Sequence, residues 1–406
     1  MPFARLHQRS SDSARQQPAT SLTGIIAAMG EVQPRSRSEP LVRSLPLTSI
    51  EPVVISRPMS PFVIRHARVG DMIMLTALVD LLQRRYGQPC HVVGAGPWNE
   101  SIFLGHPNVA QCWTLPRHAP FALTWTWPRL VRALHRAAPG PVYVAEYQYR
   151  QLPRVKRLLA TSGIDMRRCV FIDEEPGPVG QRHWTDALLT LGTRTPPAVE
   201  AADYPLPDDW SRHAPRLFVL DSERTERDAW LRERGWLGRP LVLIQPGNHR
   251  SMTPRSRRRW RQRDDKSWPV ERWRTLLQEI RARLPGGVLL LRGAVDELPL
   301  LREMKAAIGL DGVEAIGTEL RPLFALIESA HSMISVDTGP AHAAAALGLP
   351  VVVLYGAHAP GVWLPRSPCG SPVIGLGGPP LSRRADQIGV EEVLEAWCSL
   401  LTYRFR

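Results

Sequence analysis

The strongest constraint on this chain is a repeated alternation in which short apolar runs end in glycine-containing or acidic turns and are followed by stretches with helical spacing. Phe62 to Arg65 (FVIR) reads as a short buried strand and Ala67 to Asp71 (ARVGD) as a turn; residues 72–87 read as an amphipathic helix ended by Gly87. His91–Gly94, Val142–Tyr147 and Val170–Asp173 supply further strands with helical stretches between them. A proline-rich stretch from Thr195 to Pro215 reads as a linker, and the pattern then begins again. Asp221 or Ser222 can cap a helix through about Gly235; Leu241–Gly247 is a strand and turn, and Trp268–Leu284 is a helix beginning beside a proline. Val288–Gly293, Ser332–Asp337 and Val351–Gly356 complete the strands, and a last amphipathic helix is expected at about Asp386 to Leu400. Strands alternating with helices give parallel sheets covered by helices, so two similar α/β halves are expected on either side of the linker. Ligands of such sheets bind at the carboxyl ends of the strands, which directs attention to a cleft between the halves.

Composition narrows the classes of partner. A chain of 406 residues with 44% hydrophobic residues has material for two or three domains and is not wholly disordered. Lys and Arg number 51 against 38 Asp and Glu, a balance of +13 that favours nucleic acid, phosphorylated molecules or acidic lipid. Only Lys156, Lys266 and Lys305 are lysine, so each stands out where arginine supplies the bulk charge. The cysteines Cys90, Cys112, Cys169, Cys369 and Cys398 are far apart and form no C-x-x-C pair, which excludes a disulfide framework and a zinc ribbon and fits a reducing compartment. Residues 1–61 hold ten Ser, eight Pro, seven Arg and one aromatic residue, Phe3, a mixture expected to form a disordered tail. Its Asp12, Glu31, Glu39 and Glu51 count against a transit peptide, and no apolar run at its start suggests a secretory signal. Thr338–Pro365 is 28 residues without a formal charge, but Pro340, Pro350 and Pro360 interrupt it, so a short helix and a buried strand are expected there and not a membrane span. Any membrane contact is expected to be peripheral.

Three segments carry candidate chemistry. Asp71 follows Gly70 at the mouth of the first strand-to-helix turn; it is either a first-turn residue favoured by the helix dipole or a general base, with Gly70 keeping the backbone small enough for a substrate to approach. Gln262–Pro269 (QRDDKSWP) places Lys266 near a helix start, where a point charge and free amides can hold a diphosphate, or where a charge run is simply solvated. Trp268 in the same segment reads as a core residue. Ser335–His342 (SVDTGPAH) is a strand end, a turn and a helix start whose Thr338 and Gly339 amides can face phosphate oxygens, while Asp337 and Thr338 can equally be caps and His342 a structural residue. Arg250–Arg263 has seven arginines among fourteen residues and no acid; it reads as a mobile loop that gathers a phosphorylated substrate or touches an anionic surface, against an inert solvated insertion or a nucleic-acid arm.

In this order the three segments resemble the glycosyltransferase family that contains the ADP-heptose:lipopolysaccharide heptosyltransferases. The resemblance rests on FVIRHARVGDMIMLTAL, QRDDKSWPVERWRTLL and SVDTGPAHAAAALGLPVVVLYG followed by HAP, and extends over roughly Phe62 to Leu400. It implies a GT-B architecture: an acceptor domain with linker over residues 62–212, a donor-binding domain over 213–385, both Rossmann-like, and a helix in 386–406 returning to the first domain. It assigns the catalytic base to Asp71, the diphosphate contact to Lys266 and the donor-site turn to Asp337, Thr338, Gly339 and His342. Glu297 is a weaker match to an acidic residue that contacts the donor ribose, with Asp296 adjacent. The tail and the Arg250–Arg263 loop depart from the family pattern.

The implied reaction is an inverting transfer from ADP-heptose to the phosphorylated inner core of lipopolysaccharide, without cofactor or metal. It would take place in the cytoplasm, with peripheral contact at the inner face of the inner membrane. Two other readings stand beside it: the same fold with another sugar nucleotide or a protein acceptor, and a non-catalytic nucleotide- or nucleic-acid-binding protein.

Overall fold

The computed structural model describes residues 57–116, 123–147, 151–172, 182–248 and 265–403. Residues 1–56 of the expected tail and the whole Arg250–Arg263 segment lie outside the described residues. Residues 57–61, assigned to the tail by composition, already join the folded body: the Met59 amide donates to the Tyr86 carbonyl, 3.0 Å, and the Pro61 carbonyl accepts from the His91 amide, 2.8 Å.

The first half is a five-stranded parallel sheet. Its strands are β1 (Phe62–Ile64), β2 (Cys90–Ala95), β3 (Val109–Leu115), β4 (Val142–Val144) and β5 (Cys169–Phe171), in the spatial order β3-β2-β1-β4-β5. Phe62 sits in register with both His91 and Val142, so β1 is the central strand. Helices α1 (Val69–Tyr86), α2 (Trp98–Phe103), α3 (Thr126–Arg136), α4 (Leu152–Thr161) and α5 (Trp184–Thr193) surround it. Gly87 ends α1 at φ 73°, a left-handed conformation that glycine adopts without a Cβ penalty.

The second half is a six-stranded parallel sheet built from β6 (Leu241–Gln245), β7 (Val288–Gly293), β8 (Val313–Gly317), β9 (Ser332–Val336), β10 (Val351–Tyr355) and β11 (Val373–Gly377). Its order, β11-β10-β9-β6-β7-β8, reverses direction between β6 and β9, as the first sheet does between β1 and β4. That reversal opens a crevice at the carboxyl ends of the two central strands in each half. The helices here are α6 (Asp221–Glu233), α7 (Val270–Arg283), α8 (Leu298–Ile308), α9 (Leu320–Ser329), α10 (Gly339–Ala346), α11 (Pro360–Trp363) and α12 (Val390–Tyr403). The architecture is GT-B, two Rossmann-like halves facing across a cleft. Asp221 is the first residue of α6 and not its cap; Leu220 holds that position, its amide donating to Glu223 Oε2 at 2.8 Å.

Each sheet has its own core. Phe62, Ile64, Val142 and Val144 pack with Leu130, Leu134, Val155 and Leu159 of α3 and α4 in the first half. Val242, Ile334 and Val352 pack with Trp273 and Leu276 of α7 in the second. The central runs such as β6 and β10 are buried at every position because helices cover both faces of a parallel sheet. No helix among the described residues is long and apolar enough to cross a membrane.

The last helix corrects an expectation. It begins at Val390, and instead of returning to the first half it packs on α7, β10 and β11 of the second. Val393, Ala396, Trp397 and Leu400 recur at helical spacing, so one face of α12 enters the second core, where Trp397 Nε1 donates to Ser332 Oγ at 2.9 Å. The halves meet elsewhere, chiefly through α1, which packs against α10. His183 Nε2 also pairs with the Leu364 carbonyl at 2.7 Å, and Arg366 binds Asp186 at 2.8 Å.

Candidate active site

Asp71 is the third residue of α1, where the helix dipole favours a carboxylate. The residue that orients it is Arg65, at the carboxyl end of β1. Arg65 is buried and donates from Nη1 to the Ala145 carbonyl at 2.7 Å and from Nη2 to Asp71 Oδ1 at 2.9 Å. Its guanidinium lies 4.8 Å from the ring centroids of both Tyr147 and Trp184, and Glu146, fully buried, has Oε1 3.8 Å from Nη1. The Asp71 side chain keeps 20% of its surface exposed, so one face of the carboxylate is held and another is open. Both readings of Asp71 are thus compatible with its position, and the geometry adds a clamp that a dipole residue alone does not need.

Gly70 has a different duty from the one expected. A Cβ on Gly70 would stand 2.8 Å from His342 Cδ2, and one on Gly339 would stand 2.8 Å from Val69 Cβ. Gly70 thus makes room for the imidazole of the second half, and the two glycines let the N-termini of α1 and α10 touch. His342 is buried, and burial pushes its imidazole down to about 4 against the pull of Asp337 and Asp71, so the ring is neutral at pH 7.

Lys266 lies four residues before α7, as the segment DDKSWP leads from the strand region to the helix. Its Nζ donates to Asp337 Oδ2 at 2.7 Å and to the Asp337 carbonyl at 2.9 Å, and His358 Nδ1 stands 2.6 Å from the same Oδ2. Burial alone would raise the Asp337 carboxyl, but the hydrogen bond from His358 and the Lys266 charge outweigh it and hold the group well below the usual carboxylate range. Neighbouring Asp265 anchors the segment: Oδ2 accepts from the Ala357 amide at 2.6 Å and its carbonyl from the Ala385 amide at 2.7 Å. Trp268 is core, as expected, with Nε1 donating to the Ile388 carbonyl at 3.0 Å.

Thr338 stands at the N-cap position of α10 but makes no side-chain capping bond; its hydroxyl turns back to the Val336 carbonyl at 3.2 Å. No side chain caps the start of α10; Pro340 has no N–H and the Ala341 amide donates to the Thr338 carbonyl at 3.1 Å, so the donor this turn can offer a ligand is the Gly339 amide. Glu297 is buried and its Oε2 accepts from the Ala294 amide at 2.8 Å, a capping role at the end of β7. Asp296 instead lines a cavity of about 450 Å³ with Arg292, Val295, Thr318 and Glu319 at the carboxyl ends of β7 and β8. Among the described residues no group of three or more His, Cys, Asp or Glu is arranged to hold a metal.

The structure thus gathers Gly70, Asp71, Gly339 and His342 at one contact between the halves, and Lys266 with Asp337 beside it; Glu297 belongs to a separate wall. Sequence reasoning missed Arg65, one arginine among 48 with no motif of its own, and His358, which lies in the quoted HAP segment.

Residues 198–386 match the sequence model of glycosyltransferase family 9 (heptosyltransferase). The lipopolysaccharide heptosyltransferase 1 of Salmonella typhimurium is 35% identical over 106 residues, and that of Escherichia coli K12 is 36% identical over 106 residues. In both cases the match covers 25% of this chain and 31% of the relative, so the chain spans about a third of the length of these curated relatives. Among solved structures, the Escherichia coli ADP-heptose lipopolysaccharide heptosyltransferase II has a TM-score of 0.61 at 20% identity, covering 86% of this chain and 100% of that one. A glycosyltransferase family 9 protein of Veillonella parvula has a TM-score of 0.65 at 15% identity, covering 86% and 98%. The resemblance is borne out over residues 198–386, which hold the second and third motifs, while the first motif lies outside that match; the solved structures share the fold.

Proposed function

We propose that this chain, a glycosyltransferase family 9 sequence over residues 198–386, transfers a heptose from ADP-heptose to the phosphorylated, Kdo-containing inner core of lipopolysaccharide, with inversion. The observation that carries the reading is the meeting of α1 and α10, which sets the Asp71 carboxylate of one half beside the Lys266–Asp337–His358 cluster and uncapped helix start of the other.

The Asp71 carboxylate takes the proton of an acceptor hydroxyl while that oxygen attacks the anomeric carbon. The bond from this carbon to the diphosphate breaks on the opposite face, and its electron pair leaves with ADP. A single displacement inverts the centre. Lys266, fixed in place by Asp337, and the Gly339 amide at the start of α10 offset the charge that grows on the leaving diphosphate. Arg65 holds the base without blocking its exposed side. The neutral His342 fills the contact without adding a second cation next to Asp71. The cavity bounded by Arg292, Asp296 and Thr318 lies at the strand ends of the same half and has the size to take the nucleoside. The proposed acceptor is lipid-linked, so the enzyme would meet it at the cytoplasmic surface of the membrane.

A donor screen tests the reading. ADP-sugars are expected to raise the unfolding temperature selectively over UDP- and GDP-sugars, and ADP-heptose with a core acceptor to give a product heavier by one heptose. A nucleotide-independent melting curve, or transfer to a protein hydroxyl in place of the glycan, would contradict it.

A further inference from the structure

We propose that the α3–α4 face of the first half docks on an anionic lipid bilayer, at the rim of the cleft that holds Asp71. The proposal deepens the reading of the acceptor as lipid-linked and rests on it. Leu123 and Trp125, at the start of α3, are 81% and 91% exposed, far more than large apolar side chains in a folded body usually are. From Trp125 the stripe continues through Arg129, Arg132 and Arg136, spaced by four, three and four residues, so these side chains share one exposed face of the helix. None of the three arginines forms an ion pair among the described residues. The opposite face of α3 is fixed in the core by Leu130 and Leu134, so the charged stripe points outward by necessity.

The surrounding sequence strengthens the charge argument. Between Glu100 and Asp165 the chain carries seven Arg and one Lys but a single acid, Glu146, and that residue is fully buried beside Arg65. Arg157 of α4 is exposed as well. Between α3 and α4 runs an open groove of about 610 Å³ lined by Trp127, Pro128, Val131, Arg132, His135 and Ser162, wide enough for a headgroup.

Position explains the purpose. In a strand-helix-strand unit the helix starts at the carboxyl edge of the sheet, so the Leu123–Trp125 tip that follows β3 lies on the same edge as Asp71, which follows β1. A tryptophan and a leucine entering the interface, with arginines on lipid phosphates behind them, would hold the cleft mouth against the surface from which a lipid-linked acceptor must be taken. A nucleic acid would use the arginines but gives no role to the exposed leucine at the tip.

The test uses the full chain and vesicles of phosphatidylethanolamine with phosphatidylglycerol, against pure phosphatidylcholine. The unsubstituted protein is expected to sediment with the anionic vesicles only, and less as salt rises. Replacing Arg129, Arg132 and Arg136 together by Gln is expected to weaken partitioning by about tenfold or more, and Leu123→Ser with Trp125→Ser to abolish the part that survives high salt. Both sets of variants are expected to transfer sugar to a soluble, delipidated acceptor at the unsubstituted rate and to lose rate only on acceptor embedded in vesicles. Variants that sediment like the unsubstituted chain would overturn the proposal, as would duplex DNA binding through these arginines with no affinity for the anionic vesicles. Vesicle binding that depends on the stripe, in a protein that transfers no sugar to any acceptor, would uphold the docking surface and remove the enzymatic reading instead.

Discussion

Asp71 shares its carboxylate with the Arg65 guanidinium, and the stability of that clamp depends on a second acid. Arg65 and Glu146 are both fully enclosed, so Arg65→Met would take the cation away from a buried carboxylate that keeps the His66 amide at 3.1 Å, with an expected loss of about 3 kcal/mol in denaturant unfolding. An unchanged midpoint would show that the clamp contributes little to stability. The neutral His342 makes a pH-dependent prediction. Its imidazole is pushed down to about 4 by burial, whereas an unfolded histidine titrates near 6.5, so the unfolded chain binds more protons between these values. The contribution is complete above about pH 6.5 and is lost as pH falls toward 4, a share of about 3 kcal/mol. His106, also lowered to about 4 by burial, acts in the same direction, so the share of His342 is read as the difference in slope between the unsubstituted protein and His342→Gln. Equal slopes would mean that His342 is accessible to water. At this scale the sequence showed Asp71, Lys266 and Asp337 because their types and turns are distinctive. It hid Arg65, since one arginine among 48 carries no local mark and only the stacking between Tyr147 and Trp184 sets it apart.

Among the elements, the contact between α1 and α10 decides whether the two sides of the site work together. Gly70→Ala puts a Cβ 2.8 Å from a buried imidazole carbon, and neither helix start can move alone because each follows a central strand. The expected result is a stability loss of about 1–3 kcal/mol, with a fall in transfer rate larger than that loss explains. Full activity in this variant would separate the helix contact from catalysis. The legibility of elements followed their burial. Central strands such as Val351–Tyr355, buried at every position, read directly from their apolar runs. Three of the four edge strands, β3, β8 and β11, are partly exposed and mix polar residues or glycines into the run, so they went unread, whereas β5, also at an edge but buried, was read. The destination of α12 was misjudged for a related reason: its apolar face states that it packs, but the choice between two similar cores is made by Trp397 reaching Ser332.

For the whole molecule, the doubled strand-helix alternation and the linker were enough to imply two parallel sheets and a cleft, because a parallel sheet requires covering helices and a reversal in strand order. How the halves meet was not legible, since it depends on a pair of glycines and on buried groups from both sequences. In the proposed reaction the cleft works as one unit, with a base on the first half, a diphosphate seat on the second and a lipid-linked acceptor reaching the rim. Central to that reaction is the removal of the acceptor proton by Asp71, and the most direct measurement is single-turnover transfer from ADP-heptose by the unsubstituted chain and by Asp71→Asn, followed by mass of the product and by donor affinity. A rate lower by about 10²- to 10⁴-fold is expected in Asp71→Asn, with donor affinity unchanged because Lys266 and α10 are intact. Transfer by Asp71→Asn at the unsubstituted rate would contradict that role.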